Sequence, residues 1–184
     1  MSNFTKDAIK QSFKKLLESR QLKDITIRDI VDDCGINRSS FYYHFQDIPA
    51  LLEDLVLEGI DVIIQRNAGG TLSECMDGII AFLIQNKRTV HHVYRAVSRD
   101  TFEQWMDHAC KYFITSFLDR QECVAGLDPA ERKLLNQYYI YLLSGFLLKW
   151  IARGLEEDRA AAFMKILGAL GDPGQVLKSI TGEE

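Results

Sequence analysis

Only three prolines interrupt 184 residues, and alternating β-branched runs are scarce, so little in the chain opposes helix and little favours sheet. The expected fold class is all-α. No apolar run reaches the roughly 18 to 20 uncharged residues that a membrane span needs, and no cleavable hydrophobic leader is visible. A cytoplasmic protein with no membrane partner is expected. Cys34, Cys75, Cys110 and Cys123 are far apart with no CxxC pair, a pattern of reduced, buried thiols. A Gly-rich phosphate loop, a nucleophile elbow and metal-ligand spacing are all missing, which argues against an enzyme and its cofactors. His91 and His92 point about 100° apart on a helix, and His108 with Cys110 gains no i, i+4 partner to complete a shell, so no metal is expected. Positive charge is also short: a net −4 disfavours a protein that coats nucleic acid by bulk electrostatics.

What is present is apolar and helical. Hydrophobic residues make up 47% of the chain, enough for a packed core. Residues 1–50 carry a net +1 and the remainder a net −5, so a phosphate-facing surface is least costly at the N-terminal end. There, Ile9, Phe13, Leu16 and Leu17 form one stripe of a helix expected from Thr5 to Arg20. Lys6, Lys10 and Lys14 follow on another face at spacings of four, a solvated or phosphate-facing row. Thr26 caps a second helix in which Asp29 can return the bond and Ile27, Ile30 and Val31 face inward. Cys34-Gly35 ends it, Ile36 plugs the corner, and Asn37 caps a third helix from Arg38 to Phe45. Phe41 and Phe45, four apart, anchor that helix; Arg38, Ser39, Tyr42, Tyr43 and His44 occupy its other face.

Asp47 and Pro49 open a long helix with Leu51, Leu52, Leu55, Val56, Ile60 and Ile63 along its buried side. Asn67-Ala68-Gly69-Gly70-Thr71 then breaks the chain. Further helical patterns cover roughly 72–87, 89–98, 101–122, 128–154 and 156–169, and the tail from Gly171 is expected to fray. The division expected is 1–47 and 48–184, with the long helix joining both parts.

Three short helices with a Cys-Gly-Ile-Asn turn between the second and third are the layout of helix-turn-helix DNA readers. Small polar and charged groups at the N-terminal end of the third helix can approach bases; arginine can reach guanine O6 and N7 with two bonds, and tyrosine hydroxyls suit phosphate oxygens. The run from Thr26 to Phe45, ending in Phe-Tyr-Tyr-His-Phe, resembles the DNA-binding signature of the TetR family of regulators. The resemblance implies a three-helix DNA domain, a larger helical domain that binds a small-molecule effector and dimerises, and usually repression. By position it implies that Thr26 and Arg28 touch backbone or an edge base, that Asn37, Arg38, Ser39, Ser40, Tyr43 and His44 face the groove, and that Tyr42 holds phosphate. One departure stands out: Ile48 and Pro49 lie where many members have a phosphate-gripping lysine. That grip is then expected from Lys6, the N-terminus of the fourth helix and Tyr42. Outside the motif, a lone His44 would read as a packed surface histidine.

The 128–154 pattern is apolar nearly all round and so must be covered on several sides, one of them by a second subunit. Candidate interface residues are Leu142, Gly145, Phe146, Phe163 and Leu167, with Gly145 permitting close approach. A homodimer would read a palindromic operator in double-stranded DNA, its half-sites about one turn apart. An effector, of unknown identity, would be met by His91, Tyr94, Trp105, Met106, Tyr112 and Tyr138, although core packing explains most of these equally well. The rival to direct DNA binding is a helix-turn-helix scaffold acting through a protein partner, a reading motivated by the acidic total, the absent lysine, and Asp32 and Asp33 near the turn.

Overall fold

The computed structural model describes residues 2–170 together with Pro173 and Val176. The fraying expected from Gly171 onward concerns a tail lying almost wholly outside the described residues, as does the side chain of Cys123. Among the described residues the regular structure is helical: α1 (Ser2–Ser19), α2 (Ile27–Cys34), α3 (Arg38–His44), α4 (Ile48–Arg66), α5 (Leu72–Gln85), α6 (Lys87–Ala96), α7 (Arg99–Leu118), α8 (Pro129–Ala152) and α9 (Glu157–Leu170). Short 3-10 turns lie at Leu22–Asp24 and Glu122–Val124. No helix among them is long and apolar enough to cross a membrane.

Local chemistry sets the helix starts. Thr26, Thr71 and Asp128 each close a reciprocal capping box with the acid three residues on, Asp29, Glu74 and Glu131. Asn37 and Asp47 accept backbone N–H bonds from Ser40 and Ala50 at 2.8 Å. The α2–α3 corner needs glycine: Gly35 has φ +69°, a left-handed conformation that costs a residue with a Cβ about 1–2 kcal/mol. Ile36 then donates its N–H to the Val31 carbonyl at 3.0 Å, fixing the turn.

The buried residues form one cluster running from α1 to α9. In the N-terminal head, Ile9, Phe13, Ile30 and Phe41 are fully sealed, and Val31 and Phe45 nearly so. The fully buried Ser12 hydroxyl donates to the Ile30 carbonyl at 3.1 Å, tying α1 to α2. In the C-terminal bundle α7 packs against both α4 and α8, and α5 against α9. Tyr139, Leu143, Trp150, Phe113, Ile114 and Met76 are buried at its centre. Cys75 and Cys110 are buried free thiols and Cys34 is half-buried. Burial pushes the Cys110 thiol up to about 12, so it behaves as a small apolar side chain.

The lysine row of α1 departs from expectation. Lys10 is buried, not solvated, because α4 places two acids over it. Its Nζ lies 2.5 Å from Asp54 Oδ2 and 3.1 Å from Glu58 Oε2, while Lys6 Nζ is 2.7 Å from Asp54 Oδ1. Asp54 thus faces both lysines at once, Oδ1 toward Lys6 and Oδ2 toward Lys10. On the opposite side α4 reaches α7: Tyr112 Oη donates to Asp61 at 2.8 Å, and His108 Nδ1 pairs with Glu53. The acids of α4 thus join the head on one side and the bundle on the other.

Candidate nucleic-acid interface

Helix α3 is short, and its position is fixed from behind. Phe41 is fully buried, and its ring meets Phe45 at 5.9 Å and the edge of Tyr42 at 5.8 Å. Asn37 is a double acceptor at the N-terminus, taking the Ser40 N–H at 2.8 Å and the Ser40 hydroxyl at 2.9 Å. With back and end secured, the remaining surface projects outward. Arg38, Ser39, Tyr42 and Tyr43 are exposed, and Tyr43 is 77% so despite its size. His44 is half-buried with its ring edge-on to Tyr43 at 5.0 Å.

The nine residues assigned by sequence lie on α2, α3 and their caps, and they are not equally free. Thr26 is exposed, yet its hydroxyl is held in the capping box, donating to Asp29 Oδ2 at 2.5 Å and accepting the Asp29 N–H at 3.2 Å. That hydroxyl, the Thr26 N–H and Arg20 together lower the Asp29 carboxyl to about 2. Arg28 pairs across one helical turn with Asp32 at 3.4 Å, both well exposed. Asn37 and Ser40 are committed to each other. Arg38 has no carboxylate partner among the described residues, which leaves its guanidinium available to an external acceptor.

Most of the head's other cations are paired with acids. Lys15 binds Asp33 at 2.5 Å and Arg20 binds Asp29 at 3.0 Å, besides the Lys6 and Lys10 pairs with α4. Two of the three expected sources of phosphate grip are therefore occupied. Lys6 is paired with Asp54 and lies over the Phe45 ring at 5.5 Å, and the N-terminus of α4 is capped by the Asp47 carboxylate. Tyr42 remains exposed. Sequence reading missed the α1–α4 pairs, although a signal existed: Lys6 and Lys10 are spaced by four, as are Asp54 and Glu58, so two helices present complementary rows.

The candidate effector residues lie on α6, α7 and α8. His91 lies on an open concavity of about 520 Å³ lined by Gln85, Lys87, Arg88, His91, His92 and Arg95. Tyr94 is half-buried with its ring edge-on to Phe102 at 5.0 Å, Trp105 and Met106 pack half-buried on the bundle core, and Tyr112 bonds Asp61. Tyr138 is on the exposed side of α8. Among the described residues no three His, Cys, Asp or Glu side chains are grouped to hold a metal.

Helices α8 and α9 show an apolar outer face. Leu134, Tyr138 and Tyr141 of α8 and Ile166 of α9 are exposed, and a Cβ on Gly145 would meet nothing. Of the candidate interface residues, Leu142 and Gly145 are half-buried. Phe146 stacks on Phe163 at 3.7 Å and on Trp150 at 5.6 Å, clasping α8 to α9 within the subunit. Leu167 is buried.

Comparison with known proteins fits this arrangement at both ends. The tetR family of bacterial regulatory proteins matches residues 14–55, and its transcriptional regulator C-terminal region matches residues 70–170, more than half of the chain. The chain belongs to the TetR family. It is accordingly a transcriptional regulator of the helix-turn-helix type. An uncharacterized HTH-type transcriptional regulator of Bacillus subtilis (strain 168), YxbF, is 24% identical over 164 residues, covering 84% of this TetR-family chain. The match spans 40% of that relative's length. Among solved structures, the dihydroxyacetone kinase operon activator DhaS shares the fold, with a TM-score of 0.62, 20% identity, and coverage of 90% of this chain and 94% of that one.

Proposed function

We propose that this TetR-family regulator binds a palindromic operator as a homodimer, reads it with α3, and represses the adjacent genes until a small-molecule effector releases it. The observation that carries the reading is the outer face of α3: an unpaired Arg38 beside Ser39, Tyr42 and Tyr43, on a helix pinned by Phe41 and Phe45. In this reading Arg38, at the N-terminal end of α3, meets guanine and Tyr42 meets phosphate. Dimerisation is supported by the apolar stripe of Leu134, Tyr138, Tyr141 and Ile166, which a second copy would cover. The effector rests on the family resemblance, with Tyr94, Trp105 and Met106 as its candidate contacts.

Titration of DNA from upstream of the chain's own coding region tests the reading. Arg38→Ala should weaken the complex by about 1–3 kcal/mol, roughly 5- to 150-fold, if Arg38 holds a base. Unchanged affinity for that variant removes the role. The sign of regulation needs a reporter on the same promoter: repression predicts higher expression when the chain is deleted. DhaS is by name an operon activator, so lower expression in that assay would favour activation.

The second reading is a scaffold that acts through a protein partner. The self-neutralised cations of the head favour it: Lys6, Lys10, Lys15, Arg20 and Arg28 are each paired with an acid. Retention of a partner protein but of no DNA at low salt would establish it.

A further inference from the structure

A DNA-binding head whose cations are internally paired is short of phosphate contacts. Lys14, Lys23 and Arg38 are the head's Lys/Arg residues without a carboxylate partner among the described residues. Outside the head, the densest group of unpaired cations is on α6. This helix carries Lys87, Arg88 and Arg95 with His91 and His92, contains no acid, and pairs none of these groups with a carboxylate among the described residues. In a chain of net charge −4 it is a local positive island.

Its placement matters as much as its charge. Helix α6 packs against the 3-10 turn Leu22–Asp24 of the head, which leads directly into Thr26 at the start of α2. That turn adds Lys23 and Asp24, which offset each other. The inner side of α6 is held by the buried Val93 and by Tyr94 against Phe102. His91 closes on the α8–α9 turn, where a Cβ on Gly154 would lie 3.6 Å from its Nε2. Lys87, Arg88 and Arg95 remain exposed.

The arrangement selects an extended polyanion over a compact one. Lys87, His91 and Arg95 follow at spacings of four, a row about 12 Å long at 1.5 Å per residue. Arg88 and His92 form a second row beside it. The side chains lining the concavity come from the last residue of α5, Gln85, and from α6, so its cations all lie on one helix and it stays open to one side. A single small anion would be held from one side only. A phosphodiester strand can lie along the helix and meet the exposed Lys87, Arg88 and Arg95.

We infer that Lys87, Arg88 and Arg95 on α6 form a second, sequence-independent contact with the DNA backbone beside the head. The inference rests on the DNA-binding reading above. Each phosphate neutralised releases counterions and steepens the fall of log K with log salt by about 0.9. Three contacts therefore contribute a slope of about 2.7 per protomer.

The test uses the full chain and two fluorescent duplexes, one from its own upstream region and one of scrambled sequence, titrated by anisotropy between about 50 and 200 mM KCl. Lys87→Gln with Arg88→Gln and Arg95→Gln should flatten the slope by about 2.7 per protomer on both duplexes and leave the preference between them intact. Circular dichroism and melting confirm that the variant folds, and Arg88→Lys with Arg95→Lys should keep the wild-type slope. Arg38→Ala should do the reverse, losing preference while retaining most of the slope. If wild type binds neither duplex at low salt, the DNA-binding reading falls and this contact with it. If wild type binds and the triple variant shows the same slope, the α6 contact alone is overturned. An unchanged slope with a melting temperature raised by inorganic phosphate in wild type but not in the triple variant would instead make α6 a small-anion site.

Discussion

Asp54→Asn removes the charge shared by Lys6 and Lys10 while scarcely changing side-chain size. Lys10 is the exposed nerve of this substitution: its side chain is only 10% accessible, and Asp54 and Glu58 stand at 2.5 and 3.1 Å from its Nζ. Breaking a fully buried pair costs about 3–5 kcal/mol and an exposed one about 0–1. This site falls between, because Glu58 stays beside Lys10 and Lys6 is a third exposed to water. The expected loss is about 2 kcal/mol, or about 4–8 °C in melting temperature for a chain of this length. Urea unfolding at fixed protein concentration measures it, which also holds the proposed self-association constant. A cycle with Lys10→Met should return a coupling of about 1–2 kcal/mol. Burial opposes the charge on Asp54, but Lys10 and Lys6 outweigh it and hold the carboxyl below its ordinary 3.8. A lowered folded pKa stabilises above the unfolded value, and that contribution is lost as pH falls through the folded one. Lys10 is shifted the other way: burial opposes its charge, and the two acids outweigh it and raise the pKa above 10.5, so its contribution is lost only in strong alkali. The gap between wild type and Asp54→Asn should accordingly be equal at pH 7 and pH 5 and close only below about pH 4. Coincident unfolding curves at pH 7, or a gap already halved at pH 5, would refute the reasoning.

Two further substitutions probe the corner and the outer face. Gly35→Ala meets no atom within 4 Å, so its cost is the left-handed backbone alone, about 1–2 kcal/mol, read as a melting temperature about 2–8 °C lower. Gly35→Asn should recover part of the loss, and an alanine variant melting with wild type would sink the assignment. Tyr141 is 70% exposed on α8; Tyr141→Asp should leave the fold intact and weaken self-association by roughly tenfold or more, because a covered carboxylate lacks a partner. Sedimentation at micromolar concentration decides it, and an unshifted monomer–dimer equilibrium would remove Tyr141 from the interface.

The head was largely legible because its signals are local. A capping box at Thr26, a left-handed Gly35 and an asparagine cap at Asn37 each act within four residues, so spacing alone locates α2 and α3. The Phe41 and Phe45 anchor is similarly a property of one helical turn. The role of Lys10 was not legible in the same way, since its partners are 44 and 48 residues away and a lysine row on one helix looks the same whether it faces water or acids. In α8 the apolar residues run nearly all round, and sequence cannot rank them. Leu143 and Leu147 are buried in the subunit, whereas Tyr138 and Tyr141 are exposed, a choice made by the packing of α7 and α9. Phe146 and Phe163, which the sequence suggests as interface residues, also stack on each other within the subunit.

The ion pairs between α1 and α4 bear on how such regulators can be recombined. A chimaera joined at residue 47 would give this head a foreign spacer helix and leave Lys10 enclosed without an anion. A junction after Glu58 carries Asp54 and Glu58 along with the lysines they neutralise. For exchanging heads between such regulators, the transplantable cassette is thus residues 1–58: three helices plus the first half of the spacer that holds them in register.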